Sequence, residues 1–114
     1  MTTVAHDQAI YRQIADLIGA DVTLEFLATL RSRMHGIGTL PVGSRPVEAK
    51  LAEVHQVTSE AGMMGFSELS QACSAYENAC LDGTVTQGIA TRVDDAIRRA
   101  SLDIDALLDA GEAR

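Results

Sequence analysis

Five stretches of this chain carry apolar residues at steps of three and four, and each of them stops at or close to a glycine. A period near 3.6 with one apolar stripe is what an α-helix needs in order to bury a single side. The predicted helices span 7–18, 21–35, 46–62, 66–82 and 84–110. Asp7 stands where an N-cap belongs for the first, whose apolar positions are Ile10, Ile14, Leu17 and Ile18, and Gly19 ends it. Asp21 can cap the second, with Leu24, Leu27, Leu30 and Met34 inward and Glu25, Arg31 and Arg33 outward; Gly36 stops it.

From Gly36 to Pro46 three glycines and two prolines rule out a regular element, so this stretch is a connection. Pro46 is tolerated in the first turn of the third helix, whose stripe is Val47, Leu51, Val54, Val57 or Thr58, and Ala61. Met63-Met64-Gly65 reads as a turn. The fourth helix takes Phe66, Leu69, Cys73, Tyr76 and Cys80 inward and closes on Gly83. Thr84 and Gln87 have the spacing of a capping box for the fifth and longest helix. Its inner side is Ile89, Val93, Ile97, Ala100, Ile104, Leu107 and Leu108; Arg92, Asp95, Arg98, Arg99 and Asp103 lie mostly on the other. Tight turns between amphipathic helices make neighbours antiparallel. The expected fold is all-α: one domain over residues 1–114, an antiparallel up-and-down four-helix bundle with a short additional N-terminal helix. Hydrophobic residues at 46% with aromatics at only 4% suit packed helices better than a sheet.

Charge narrows the partners. Sixteen acidic against nine basic residues give a net charge of −7, with Lys50 the sole lysine. Nucleic acid and anionic membranes both demand clustered cations, so neither is an expected partner. No leader pattern and no apolar run near the ~20 residues of a membrane span are found, which makes a cytoplasmic location the expectation. Cys73 and Cys80 are seven residues apart, two helical turns on one face, and read as core thiols without a dithiol spacing. His6 and His35 read as surface residues near helix ends. Three histidines without acidic or cysteine companions at ligand spacing give no metal site, and no cofactor is expected.

The remaining histidine, His55, falls beside the apolar stripe of the third helix, and its axial neighbours Ala52, Thr58, Ser59 and Gly62 are all small. A solvated helix face ordinarily carries Lys, Glu, Arg or Gln, and Gly62 inside a helix costs about 1 kcal/mol relative to Ala. Such a neighbourhood leaves an imidazole standing clear and lets another protein's backbone come close. A plain surface histidine on a helical scaffold is the bland alternative, and a buried His55 would favour it.

The segment from His55 through Ala61 and Gly65 to Leu69, Cys73 and Glu77 resembles the signature of the histidine-containing phosphotransfer (HPt) domain. That pattern has a lysine three and a glycine four residues after the histidine, a small residue at six, a glycine at ten, then a leucine and a cysteine in the next helix. His55, Ala61, Gly65, Leu69 and Cys73 match at those offsets, whereas Thr58 and Ser59 stand in place of the lysine and the glycine. The short leading helix, the Gly19-Ala20-Asp21 break and the long final helix also have counterparts in the family.

The resemblance implies a phosphorelay intermediate of two-component signalling and not a turnover enzyme. His55 would be the phosphoacceptor; Ala52, Gln56, Thr58, Ser59 and Gly62 would form the phosphoryl environment and docking surface. The partners it implies are receiver domains of response regulators and hybrid histidine kinases, which supply the divalent metal, and the chain itself is expected to be a monomer. Neutral imidazole is nucleophilic near pH 7 and holds a phosphoryl group that is easily passed on. Without the lysine, phosphorylated His55 is expected to be less stabilised. The alternative is a degenerate HPt-like or helical scaffold module that binds a partner without phosphotransfer. No second group is placed by sequence alone to act as acid or base with His55.

Overall fold

Asp7 caps the first helix as its position predicts. Its Oδ1 accepts from the backbone N–H groups of Ala9 at 2.9 Å and Ile10 at 3.3 Å, satisfying two of the amides that a helix start leaves without intrahelical partners. The computed structural model describes residues 7–38, 40, 48–83 and 85–112. Among these there are five α-helices: α1 (Gln8–Ile18), α2 (Ala20–Ile37), α3 (Glu48–Met63), α4 (Ser67–Asp82) and α5 (Gln87–Glu112).

Several boundaries differ from the sequence expectation, each for a local reason. Gly19, at φ +91°, is the residue from which α2 departs. Asp21 therefore sits inside the first turn, where its charge faces the positive helix end, and does not cap it. The hydroxyl of Thr23 turns back to Gly19 O at 2.7 Å. The second helix runs through Gly36 to the fully buried Ile37, and Gly38 at φ +62° follows it. Pro46, Val47 and most of the expected connection lie outside the described residues, as do His6 and Thr84. At the start of α5 the amide of Ile89 donates to Thr86 Oγ1 at 3.2 Å, so Thr86 provides the cap.

The core joins Leu27, Leu30, Met34 and Ile37 of α2 to Val54, Val57 and Ala61 of α3, to Leu69, Ala72, Cys73 and Tyr76 of α4, and to Val93, Ala96, Ala100 and Ile104 of α5. Met64 and Phe66 fill the turn between α3 and α4. The helical period selects most of these positions but misses Ile37, Ala72 and Ala96, and in α1 it selects residues that stay exposed. Leu17 is 80% exposed, and only Tyr11 and Ile14 of this helix pack against the core. Because α1 rests chiefly on α2, it covers a narrow strip and leaves its last turn in solvent.

Contacts link α2 to α3, α3 to α4, α4 to α5 and α5 back to α2. Their direction follows from side-chain pairs. Arg31 meets Asp105 at 3.0 Å and His35 meets Ser101 at 3.2 Å, so four residues forward on α2 are four backward on α5. Likewise Arg33 pairs with Glu60 at 2.7 Å while Ile37 O, one turn later, accepts from Lys50 Nζ at 2.5 Å. The exposed Arg31–Asp105 ion pair fixes direction more than it stabilises, since a pair of this kind is worth about 0–1 kcal/mol.

Two core groups tie stability to alkaline pH. Burial pushes the Cys73 thiol from 9.0 up to about 12, with the Glu77 carboxylate adding to the effect and a hydrogen bond with Thr58 opposing it. Burial, then the charge and hydrogen bond of Cys80, push the Tyr76 phenol from 10.0 up to about 12. Both groups keep their protons longer folded than unfolded, so their contribution is complete below pH 9 and is lost as pH rises towards 12. Denaturant midpoints measured across that window are expected to fall progressively, and Cys73→Ala is expected to flatten the decline.

Candidate functional site

Helices α3 and α4 form a hairpin about the Met64–Gly65 turn, and the site is built along the seam between them. His55 lies on the outer edge of α3 with its side chain 73% exposed, opposite Glu77 of α4, which is 20% exposed. Their contact, His55 Nδ1 to Glu77 Oε1, is 2.6 Å. An ionised carboxylate can only accept, so Nδ1 brings the proton and Nε2 is left with its lone pair directed to solvent. An exposed ring is thus held in one orientation and one tautomer.

Thr58, one turn along α3, faces the same seam. Its hydroxyl is 2.9 Å from Val54 O and 3.0 Å from Glu77 Oε2. Each carboxylate oxygen of Glu77 therefore has its own partner on α3. Further along, Ser70 Oγ donates to Thr58 O at 2.9 Å. A Cβ at Gly62 would come within 3.1 Å of that Ser70 oxygen, so glycine there serves the close approach of α4 as well as keeping the surface small. Ala52, Gln56, Ser59 and Gly62 are exposed on α3, whereas Thr58 is half-buried and turned towards α4.

The one-proton hydroxyl of Thr58 is engaged inside the seam and is not presented to a group on Nε2. Lys50 is also occupied elsewhere, with its ammonium bonded to Ile37 O and 3.2 Å from Glu53 Oε2. Among the described residues no cationic side chain hydrogen-bonds Glu77 or His55 besides the imidazole itself. Cys73 and Cys80 are free thiols, and burial raises both; for Cys80 a hydrogen bond with Tyr76 opposes the rise and the Glu77 carboxylate adds to it. Neither presents a thiolate near neutral pH. Among the described residues no three His, Cys, Asp or Glu side chains gather into a possible metal site.

Single-helix periodicity misses the partnership of His55 with Glu77. The signal lies in the hairpin: counting outward from the Gly65–Phe66 turn in both directions brings 55 and 77 opposite one another.

An exposed histidine held at Nδ1 on a helical hairpin agrees with the match found at the level of whole families, where the Hpt domain model covers residues 21–110. The chain belongs to the Hpt domain family. No curated protein and no solved structure matches it. HPt domains carry phosphoryl groups on histidine in phosphorelay signalling, as carrier modules that meet receiver domains. The all-helical architecture agrees with membership of that family. Among the described residues no helix of this HPt domain is long and apolar enough to cross a membrane.

Proposed function

We propose that this chain is a phosphorelay intermediate in which His55 accepts a phosphoryl group from a receiver-domain aspartate and passes it to another. The single observation that carries the reading is an imidazole at once exposed and held at Nδ1 by a carboxylate. The Nε2 lone pair attacks phosphorus, the N–P bond forms, the acyl phosphate O–P bond breaks, and its electron pair stays on the receiver carboxylate. The proton remains on Nδ1, and Glu77 balances the charge that the ring acquires. Because the proton stays on Nδ1, the phosphorylated ring is a positively charged leaving group, which the next acceptor can displace as a neutral imidazole.

Docking is assigned to the exposed Ala52, Gln56, Ser59 and Gly62, with Thr58 in the phosphoryl environment as a buttress of the seam. Met63, 51% exposed, and Leu81, 83% exposed one turn beyond Glu77, add apolar area beside them. The partners are receiver domains of response regulators and hybrid histidine kinases, which bring the cations that the His55 surroundings lack. Residues 1–114 are assigned to one domain, a cytoplasmic monomer, with α2 to α5 as an antiparallel up-and-down bundle and α1 as its short additional helix; the closed ring of contacts among α2 to α5 supports the bundle arrangement. A partner-binding module without transfer has less support, because binding alone gives no reason to hold one imidazole tautomer.

The test is incubation of the purified chain with phosphorylated receiver domains. The expected result is label on this chain that survives alkali and is lost in acid, as an N–P bond requires. Label no greater than that on His55→Ala overturns the proposal.

A further inference from the structure

The hydroxyl of Thr58 has one proton and, besides its contact with the Cys73 sulfur, two oxygen acceptors. A threonine within a helix ordinarily returns that proton to the carbonyl four residues back, here Val54 O at 2.9 Å. The other acceptor, Glu77 Oε2 at 3.0 Å, belongs to a carboxylate, and a charged acceptor makes the stronger bond. Glu77 reaches His55 through Oε1 alone. A carboxylate held at one oxygen can turn about its last torsion, which is broad and soft. Held at both oxygens from successive turns of α3, it cannot turn without losing a partner.

Resting on the reading of His55 as phosphoacceptor, we propose that Thr58 is a positioning residue whose hydroxyl fixes Glu77, so that the carboxylate keeps Nδ1 protonated and Nε2 free for attack. Thr58 touches neither Nε2 nor any group carried there. It acts through Glu77, and the site has a hydrogen-bonded order of Thr58, Glu77, His55. The side chain serves this role by geometry: it is half-buried in the seam, one turn from His55, with Ser70 donating to its own carbonyl at 2.9 Å and holding that turn of α3 against α4. The position is the one at which the family pattern carries a lysine. In this chain the residue there orients the base-side partner of the histidine and leaves cation supply to the docking protein.

The tautomer of His55 is read by nitrogen-15 NMR of the ring-labelled full chain at neutral pH, without any phosphoryl donor. Wild type is expected to show a protonated Nδ1 and an unprotonated Nε2. Thr58→Val keeps the branched shape without the hydroxyl and is expected to move the signals towards the tautomer mixture of a free imidazole. Thr58→Ser, which restores the hydroxyl, is expected to recover the wild-type pattern, and Glu77→Ala, which removes the acceptor altogether, sets the limit of the change. Phosphoryl uptake by Thr58→Val is expected to slow about three- to tenfold, the range that one hydrogen bond commands.

Unchanged nitrogen signals in Thr58→Val would mean that the hydroxyl does not hold Glu77 and would overturn the proposal. So would a change that Thr58→Ser fails to reverse, since that signals altered packing. If wild type takes no label from any receiver, the reading of His55 as phosphoacceptor fails while the NMR result still decides the role of Thr58.

Discussion

Glu77→Ala is expected to slow phosphoryl uptake by His55 on the order of 10²-fold, with little change in affinity for the receiver domain. The carboxylate contributes in three ways: it selects the Nδ1–H tautomer, it holds the exposed ring in place, and it offsets the positive charge that forms as Nε2 bonds to phosphorus. A buried triad aspartate doing similar work in hydrolases is worth about 10⁴ in rate. His55 is 73% exposed, so solvent screening makes the electrostatic share smaller here. Glu77→Gln separates the contributions, because its amide oxygen still accepts from Nδ1–H but carries no charge; its rate is expected between those of wild type and Glu77→Ala. Stability should change little, since Thr58 retains Val54 O as acceptor at 2.9 Å and the Cys73 thiol loses a carboxylate that disfavours its ionisation. Single-turnover rates at saturating receiver are the measurement. A Glu77→Ala rate within about twofold of wild type sinks the assigned role, whereas a loss confined to receiver affinity would move Glu77 to the docking surface.

How far the site could be read from residues alone depends on which contacts are local. Val54, Val57 and Ala61, or Leu69, Cys73 and Tyr76, are legible because burial on one helix follows its own period. The position of His55 beside that stripe follows from the same rule. The caps are less secure. Thr84 and Thr86 lie two residues apart with similar chemistry, and only the amide of Ile89 at 3.2 Å assigns the role to Thr86. Ala90 and Ala96 are buried although they were not among the inner positions of α5, because a small side chain can face the core where helices approach closely. Leu17 shows the reverse error: an apolar residue in register stays exposed where the neighbouring helix does not reach it. The partnership of Thr58, Glu77 and His55 needed the seam between two helices. Sequence placed Thr58 as a weak substitute beside the phosphoryl group; its turn towards Glu77 depends on α4 being there.

Gly65→Ala is expected to cost about 2–4 kcal/mol of stability and to release the start of α1, although residue 65 belongs to the α3–α4 turn and lies far from α1 in sequence. Gly65 has φ +88°, and holding an alanine in such a conformation costs of order 1–3 kcal/mol. The added methyl also has nowhere to go. It would lie 2.8 Å from Asp7 O and 3.2 Å from Ile10 Cβ. Asp7 is pinned there because its amide donates to Gly65 O at 2.6 Å, while Asp7 O accepts from Tyr11 N at 3.0 Å to open α1. A side chain at 65 therefore strikes the N-terminus of α1 at its attachment to the hairpin. Amide hydrogen exchange distinguishes the two contributions. Backbone strain alone would lower protection evenly through the molecule, whereas the clash is expected to lower it first at Asp7 and Tyr11. Wild-type protection at those amides together with an unchanged denaturation midpoint would contradict the expectation. The same turn sets the register that places Glu77 opposite His55, so Gly65→Ala is also expected to slow phosphoryl uptake where the chain remains folded. A glycine ten residues from the histidine thus has a physical reason that is tertiary: the backbone of α1 passes too close for any side chain at that point.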